Sequence, residues 1–556
     1  MPVKIGSAFA YLRRTARVIA LTLAYGTRFL FRRSNRPQLV REYFERCGGG
    51  FVKVGQVLSM RYDLLATSYC EALQALLDEL PPAPAAEVVA VVESELGARL
   101  DALFETFDVG PASSASIAQV HFATLPGGTP VVVKVKRPGI DRIFAIDLTN
   151  ARLLAHTLDA LGWFRDAGLA ALVREIEQLT AEELDFRHEA RNLDVVHALL
   201  DSDPIDHCSP RPYLALCSAS VITMERLQGV WMRDLLAAVT ANDRGRLEAW
   251  AQHGITPART ARLLLRSILE QCFSHRIFHA DPHAGNLVIL DGGTLGYVDF
   301  GMIGWIDEKG WAQQFRMNAS IANEKLHGAY QSLLDILEPL PPRDLSRFEI
   351  EFKRHLQNWL FSTRTPNGPL AERSSAVFFL RLFELLRRWQ LSMPSSQMRL
   401  NRALMIADII ILQLYPALLR LPELRAYFRD EVKRQFDARL EDHSITALQA
   451  SVTELFRAGD AARELVYWVQ ERLPHLGRTY REGITRLERA ALATLRYVRV
   501  AVVLAVAALI AHRALGGRLL GGVVPVEGLG WWAGIAGSVL VTLALTDMIR
   551  KVRDSR

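Results

Sequence analysis

Cysteine is scarce in this chain. Among its 556 residues there are five cysteines, and no two of them form a CxxC pair. An odd number of widely spaced thiols argues against both a disulfide framework and a zinc site. We therefore expect a protein of a reducing compartment.

Acidic residues are missing from the first 36 positions, which hold eight Lys and Arg residues. The rest of the chain carries 58 basic and 60 acidic residues, so the formal net charge of +6 comes from this arm. A body without positive excess is not a nucleic-acid-binding surface, and we expect no nucleic acid partner. A basic arm suits anionic lipid headgroups instead.

The same arm shows helical periodicity. Its apolar residues recur at three- and four-residue steps, opposite three arginines: Phe9, Leu12, Ala16, Ile19 and Leu23 against Arg13, Arg14 and Arg17. This pattern is typical of an amphipathic helix on a membrane surface. An Arg-rich, acid-free start also fits a mitochondrial transit peptide, and residues 18–26 fit a signal h-region less well because arginines follow closely.

Two uncharged runs lie near the C-terminus. Residues 528–546 begin with two tryptophans and are followed by a Lys/Arg cluster, which predicts a transmembrane helix. Residues 500–511 cross a membrane only if the basic residues at their ends reach the interface; the alternative is a buried helical hairpin. Basic flanks on both sides place the main body in the cytoplasm or matrix.

The strongest chemical signal is FHADPHAGN at 278–286, followed by DFG at 299–301. Asp281 and Asn286 have the spacing of the kinase catalytic loop, in which the Asp orients the nucleophile and the Asn binds a metal. Asp299 then matches the metal-binding Asp of DFG. Two short strands, 287–290 and 294–298, should form a hairpin that brings Asn286 and Asp299 together.

Lys134 lies in a β-branched strand, 131–136, at the place of the kinase lysine that contacts the nucleotide phosphates. The plainer alternative is a lysine on an exposed strand face. A helix predicted over 169–200 offers carboxylates as its partner, of which three share one face: Glu182, Asp185 and Glu189. We favour Glu189.

No GxGxxG motif precedes this strand. The segment in that position is PASSASIAQVH, residues 111–121, whose alanines and serines permit close backbone approach without the conformational freedom of glycine. Taken alone, such a loop is usually a turn. No APE motif follows DFG, which argues against an ordinary activation segment and a docking site for protein substrates.

Taken in order, these motifs resemble those of the UbiB family of atypical protein-kinase-like proteins. The resemblance covers ASSASIAQVH, VVVKVKRPG, ELDFRHEARN, VITMERLQG, FHADPHAGN and DFG, and FVKVGQVLS at 51–59 is similar to the family's KxGQ motif. Together they span residues 51–301. The C-terminal hydrophobic pair is similar to that of bacterial members.

The resemblance implies an α+β, protein-kinase-like two-lobed fold, with a small β-rich N-lobe and a helical C-lobe. It adds an N-terminal helical extension and a C-terminal transmembrane helical hairpin. The expected divisions are a basic amphipathic arm at 1–45, the KxGQ extension at 46–110, the N-lobe at 111–230, the C-lobe at 231–490 and the hairpin at 491–556.

It also implies ATP and Mg²⁺ as cofactors. The expected phosphate-covering residues are Ala112, Ser113, Ser114, Ala115, Ser116, Ile117, Ala118, Gln119 and Val120. Lys134 would contact the phosphates and pair with Glu189 or Glu183, Met224 and Glu225 would form the adenine hinge, Asp281 would be the catalytic acid, and Asn286 and Asp299 would hold Mg²⁺. Lys53 and Gln56 would lie on a helical cover that meets Glu183 and Asp185.

The function so implied is that of a membrane-bound atypical kinase or ATPase supporting ubiquinone biosynthesis. It would act on lipids or small molecules, with anionic lipids, polyprenyl quinone precursors and other quinone-biosynthesis proteins as partners. The expected location is a bacterial inner membrane, facing the cytoplasm, or a mitochondrial inner membrane, facing the matrix. The alternatives are a pseudokinase scaffold or lipid-binding module and a small-molecule phosphotransferase of the aminoglycoside- or choline-kinase type.

Overall fold

The computed structural model describes most of the chain up to residue 441. The described residues are 5–31, 35–59, 61, 65–76, 81–115, 117–160, 169–337, 340–341, 345–365 and 368–441. The chain divides into two units, Met1–Arg429 and Asp430–Arg556. Both predicted C-terminal spans lie outside the described residues. Among the helices that the structure describes, none combines the length and the apolar character needed to cross a membrane.

Four helices come first in the chain. They are α1 (Ile5–Phe31), α2 (Arg36–Cys47), α3 (Gly50–Ser59) and α4 (Thr67–Gln74). Their shared core contains Val18 of α1, Phe44 of α2 and Phe51 of α3. The face that the arm's periodicity predicted to be apolar is turned away from this core, because Leu12, Ile19 and Leu23 are 65%, 51% and 67% exposed.

The small lobe follows and mixes helices with short strands. Its elements are α5 (Ala85–Leu96), α6 (Leu100–Leu103), β1 (Thr106–Phe107), β2 (Ser113–Ser114), β3 (Ala118–Thr124), β4 (Pro130–Lys136), α7 (Ile140–Ala160), α8 (Leu169–Leu184), α9 (Phe186–Asp201), β5 (His207–Cys208) and β6 (Val221–Glu225). The strands form an antiparallel sheet in the order β1-β3-β4-β6, with β2 paired to β3. Val131, Val133 and Val135 of β4 fill its core against Val88 and Val92 of α5.

The basic arm is anchored to this lobe through an ion pair. Arg14 belongs to the predicted polar face of α1, yet its guanidinium donates to the carboxylate of Asp147 on α7, with an Nη2–Oδ2 distance of 2.7 Å. Asp147 is 1% exposed and also accepts from the backbone N–H of Gly50 at 2.8 Å. The polar face of α1 therefore partly faces the protein.

The single helix predicted over 169–200 is wrong. Asp185 leaves helical geometry, with φ −103° and ψ 95°, and its side chain accepts from the backbone N–H of Arg187 as the N-cap of α9. Asp is a favoured N-cap residue because its carboxylate satisfies an amide that the new helix leaves open. Asp185 therefore does not share a helical face with Glu182 and Glu189.

The large lobe is mainly helical. Its elements are β7 (Gly229–Trp231), α10 (Met232–Ala241), α11 (Arg244–Gln252), α12 (Pro257–Glu270), β8 (Ile277–His279), β9 (Leu287–Leu290), β10 (Leu295–Tyr297), β11 (Ile303–Trp305), α13 (Glu308–Ala322), α14 (Leu326–Ile336), α15 (Ser346–Thr363), α16 (Leu370–Arg373), α17 (Ser375–Arg388), α18 (Ser395–Leu414) and α19 (Arg420–Glu441). A second sheet has the order β5-β10-β9-β7, and β8 pairs with β11. Helix α18 packs against α10, α12 and α17 and also contacts β8 and β11.

The predicted hairpin after the catalytic loop is confirmed. Strands β9 and β10 pair antiparallel, with Leu287 opposite Tyr297, and the turn uses Asp291–Gly293. Gly292 has φ 82°, a backbone conformation that glycine adopts without a steric penalty. Buried apolar residues on both strands fix this register, and the open end of the hairpin joins the catalytic loop to DFG.

Candidate active site

A buried lysine stands at the centre of the site. The neighbours of Lys134 on β4, Val133 and Val135, point into the lobe core, so alternation turns Lys134 to the opposite face. There its Nζ donates to both carboxylate oxygens of Glu189 on α9, at 2.7 and 2.9 Å. Asp299 of DFG lies 3.6 Å from the same nitrogen. The structure thus brings Lys134 and two of its predicted neighbours together.

Lys134 faces two carboxyl groups here, and the pKa values of these two groups shift in opposite directions. Burial raises the pKa of Glu189 to about 7, more than Lys134 lowers it. Burial also disfavours the ionised form of Asp299, yet Lys134 and the amide of Gly301 outweigh it and lower the pKa of Asp299 to about 2. The two carboxylates outweigh burial at Lys134 and raise its pKa. Lys134 and Asp299 are therefore charged at neutral pH.

Hydrogen bonds between side chains and backbone groups of the catalytic loop hold its conformation. The N–H of Asp281 donates to Nδ1 of His279 at 3.1 Å, and the side-chain amide of Asn286 donates to the carbonyl of Asp281 at 3.2 Å. His279 is buried between Phe300 and Tyr297, with ring centroids 5.2 and 5.7 Å away. Burial lowers the pKa of His279, which keeps the imidazole neutral and able to accept that N–H. These bonds fix the backbone that carries Asp281.

Asn286 and Asp299 meet across the open end of the hairpin. The N–H of Val298 donates to the carbonyl of Asn286 at 3.0 Å, which places the next residue, Asp299, beside the loop. The carboxylate of Asp299 accepts from the N–H of Gly301 at 2.8 Å. The catalytic loop and DFG, whose residues Asp281 and Asp299 are 18 positions apart in the sequence, therefore come together.

The donor set of this corner fits Mg²⁺. Among the described residues, no three His, Cys, Asp or Glu side chains are grouped as a metal site. Mg²⁺ in nucleotide sites needs only one or two protein oxygens, because phosphates and water complete its shell. The amide oxygen of Asn286 and the carboxylate of Asp299 supply ligands of that type.

The predicted phosphate-covering segment forms a tight hairpin of β2 and β3. The N–H of Ala115 donates to the carbonyl of Ala118 at 2.9 Å, and Ser116 lies outside the described residues. Arg137, which sequence did not single out, donates to the carbonyl of Ala115 at 2.7 Å and to the Ser114 hydroxyl. This arginine braces the turn against the end of β4.

The last predicted residues of that segment are built into the sheet. Ala118 and Gln119 are 1% exposed on β3, and Val120 is half-buried beside them. The side-chain carbonyl of Gln119 accepts from the backbone N–H of Ala83 at 2.9 Å, so it holds the chain that precedes α5. The exposed residues of the segment are Ala112 and Ser113, before the turn.

The predicted hinge lies where the two sheets are joined. Met224 and Glu225 end β6, paired with Val132 and Val131 of β4, and β7 of the second sheet begins four residues later at Gly229. Met224 is buried, and the carboxylate of Glu225 accepts from the N–H of Arg211 at 3.3 Å. This is the position that an adenine hinge occupies between kinase lobes.

The predicted helical cover contacts the site at one point. Lys53 of α3 forms an ion pair with Glu183 at the end of α8, and Gln56 is half-buried on the same helix. Glu183 is therefore the partner of Lys53, whereas Lys134 pairs with Glu189. Asp185 instead caps α9 and pairs with Arg187 at 2.7 Å. Of the two acidic residues expected to meet the cover, the structure shows this contact for Glu183.

Sequence did not single out Arg402, whose side chain touches the catalytic loop. Nη2 of Arg402 on α18 donates to Oδ1 of Asp281 at 3.2 Å. The two residues are 121 positions apart, and no spacing or motif links them. Only the packing of α18 against β8 brings them together.

The chain turns back directly after DFG. Ile303–Trp305 forms β11, which pairs antiparallel with β8, and α13 begins at Glu308. Residues 302–307 are too few for an extended activation segment, in agreement with the missing APE motif.

The comparisons with known proteins identify relatives among the atypical kinase-like proteins. The profile of the ABC1 atypical kinase-like domain matches residues 75–333. A Pseudomonas putida protein called "Probable protein kinase UbiB" is 31% identical over 390 residues, which cover 69% of this chain and 69% of that protein.

The Arabidopsis thaliana chloroplast protein "ACTIVITY OF BC1 COMPLEX KINASE 8" is 32% identical over 64% of this chain, and the matched part covers 42% of its length. Relatives are thus named in both bacteria and chloroplasts. A solved structure of Mycobacterium tuberculosis Rv3197 with erythromycin aligns with a TM-score of 0.47 at 23% identity, covering 66% of this chain and 89% of that one.

Proposed function

This chain belongs to the ABC1/UbiB family of atypical kinase-like proteins, and from that membership we propose that it binds MgATP at a membrane surface. The bound nucleotide would drive phosphoryl transfer or ATP hydrolysis in support of polyprenyl quinone biosynthesis. Its acceptor would be a lipid or small molecule.

One observation carries the nucleotide part of the proposal: Lys134 lies between Glu189 of α9 and Asp299 of DFG. In kinases the strand lysine contacts the phosphates only when a helical glutamate holds it, and the DFG Asp must stand beside it for the metal. These three side chains lie together in this chain, as contact with a triphosphate requires.

The remaining residues divide the chemistry between them. Asn286 and Asp299 would hold Mg²⁺, which neutralises charge on the phosphates when it is bound. Asp281, on a loop fixed by His279 and Asn286, would orient the hydroxyl or water that attacks. The braced turn at Ala115 would cover the phosphates with backbone amides.

Equilibrium binding of MgATP and its hydrolysis by the purified full-length chain test this proposal. Asp299→Asn should remove the Mg²⁺-dependent part of both, because a carboxylate ligand becomes a neutral amide. Asp291→Asn is the matched control, since Asp291 belongs to the same hairpin but is 83% exposed at its turn. Equal behaviour of the two variants would contradict the nucleotide role.

The surface part of the proposal rests on α1. Leu12, Ile19 and Leu23 form an exposed apolar stripe on a segment without acidic residues, and Arg13 and Arg17 are exposed beside it. Exposed apolar residues next to cations suit the interface of an anionic bilayer, where leucine enters the acyl boundary and arginine meets headgroups.

Flotation with vesicles of neutral or anionic phospholipids tests this surface. Ile19→Glu/Leu23→Glu should reduce binding to anionic vesicles several-fold. Ile350→Glu should not, although Ile350 on α15 is 65% exposed. Retained binding by the double variant would remove α1 from the proposal and leave the nucleotide site untouched.

The biosynthetic role is tested in cells. Quinone content should return in a deletion strain that carries the wild-type chain and should stay low with Asp299→Asn. Full restoration by Asp299→Asn would favour a scaffold that does not use MgATP.

A further inference from the structure

We propose that Arg402 compensates the charge of Asp281, so that the catalytic loop accepts a triphosphate without repelling it. This inference rests on the proposed function, because it concerns MgATP at the same site. Arg402 is a positioning residue: it touches the side chain of Asp281 and acts through it.

The contact is direct and comes from a rigid element. Nη2 of Arg402 lies 3.2 Å from Oδ1 of Asp281, and the two side chains are 18% and 21% exposed. The neighbours of Arg402 on α18, Asn401 and Ala403, are fully buried. A helix anchored on both sides of the arginine holds its guanidinium in place, so the contact does not depend on a mobile loop.

The loop itself supplies no Lys or Arg for this purpose. Residues 279–286, HADPHAGN, contain neither Lys nor Arg. The main chain of Asp281 is already used, because its N–H donates to His279 and its carbonyl accepts from the N–H of His283 at 2.8 Å. The aim of its carboxylate therefore depends on a group from elsewhere, and Arg402 is in contact with it.

The electrostatic reason is simple. A carboxylate that stands beside phosphate oxygens in a partly buried cleft repels them, and the repulsion grows as water is excluded. A guanidinium on the carboxylate cancels that charge and fixes its plane through directional N–H donors. Loss of Arg402 should therefore weaken binding of the nucleotide through Asp281, and removal of the charge of Asp281 should reverse the loss.

The test is equilibrium binding of MgATP to the full-length chain, measured by isothermal titration calorimetry. Arg402→Gln should weaken binding at least tenfold, and Arg402→Gln/Asp281→Asn should return it to within about threefold of the wild type. Arg402→Lys should bind better than Arg402→Gln, because it keeps the charge. The control is Arg399→Gln, the other arginine of α18, which should bind as the wild type does.

Each result decides. Wild-type affinity in Arg402→Gln would overturn the inference, and so would a double variant as weak as the single one, which is what a merely structural arginine would give. The Arg402→Lys variant decides the case if Arg402→Gln melts at a lower temperature than the wild type. If the wild-type chain binds no MgATP, both the proposed function and this inference fail. If the wild-type chain binds MgATP and Arg402→Gln binds it with the same affinity, only the inference fails.

Discussion

Two lysine–glutamate ion pairs lie near the candidate site of this protein, and they differ in their surroundings. Lys134 and Glu189 join the small-lobe sheet to α9, with side chains 12% and 10% exposed and Asp299 as a third charge 3.6 Å from the lysine. Lys53 and Glu183 join the cover helix α3 to α8, with side chains 14% and 21% exposed.

The difference teaches that surroundings decide what an ion pair does. Around Lys134 a second carboxylate leaves an excess of negative charge, which burial makes costly, and the pKa of Glu189 rises to about 7. The first pair has the carboxylate of Asp299 beside it, whereas the second joins two helices.

Among the substitutions that test this difference, Lys134→Met should reduce the free energy of unfolding most. This change leaves the buried Glu189 without its cation and removes a positive charge 3.6 Å from Asp299, which is 43% exposed. Removal of one partner from a buried pair typically costs about 3–5 kcal/mol. We expect a loss near the lower end, about 3 kcal/mol, in urea unfolding at pH 8 without nucleotide. Glu189→Gln added to Lys134→Met should recover part of the loss. A cost no larger than that of Lys53→Met would contradict the distinction.

Acidity should separate the two pairs without any mutation. Folded Glu189 keeps its proton up to about pH 7, whereas the unfolded chain releases it near 4.5, so the folded state binds more protons between these values. The free energy of unfolding should therefore fall as pH rises through this window, by roughly 3 kcal/mol at most at 1.4 kcal/mol per pH unit.

Urea unfolding of the nucleotide-free chain at pH 4.5, 6 and 8 measures this slope. Glu189→Gln should flatten it because the titrating carboxyl is gone. A slope of the opposite sign between pH 5 and 7 that disappears in Glu189→Gln would show that Glu189 is ionised in the folded protein.

Lys53→Met should have a smaller effect. A partly exposed ion pair is worth about 1 kcal/mol or less, and salt screens it. We expect a loss of about 1 kcal/mol, together with faster amide hydrogen exchange in α3 and unchanged exchange in β4. Equal acceleration in both elements would show that the cover and the nucleotide site open as one.

A third pair sets the lower end of the scale. Arg187, 64% exposed, pairs with Asp185, which also caps α9. Arg187→Ala should cost little, because ion pairs of exposed side chains contribute little to stability. Asp185→Ala should cost about 1 kcal/mol because the helix loses its N-cap. Thermal melting resolves the order of the two variants, and an equal loss would mean that the ion pair, not the cap, is the stabilising contact.

Local patterns predicted much of the site. The hairpin of β9 and β10 followed from apolar strands on both sides of Asp-Gly-Gly, and the strand of Lys134 from a run of valines, because short-range preferences determine both. The break at Asp185 was missed because the apolar and acidic spacing continues through it. Its one local signal was an Asp in a position where a new helix could start.

The rest depends on contacts between distant parts of the chain. Arg14 has the spacing of a solvated face, yet it pairs with Asp147, 133 positions away. Arg402 meets Asp281 for the same kind of reason. Periodicity reports which side of a helix is polar, but a polar side chain that finds a buried partner has the same spacing as one that faces water.

The direct turn from DFG into β11 has a consequence for inhibitor design. Phe300 is 1% exposed, packs beside His279 with ring centroids 5.2 Å apart, and is followed at once by a strand paired with β8. Compounds that displace this phenylalanine require slack in the chain that follows it, and residues 302–307 provide little. Under the proposed function, we expect small molecules that compete with the nucleotide to bind near Met224, and compounds that require an outward-flipped DFG to bind weakly.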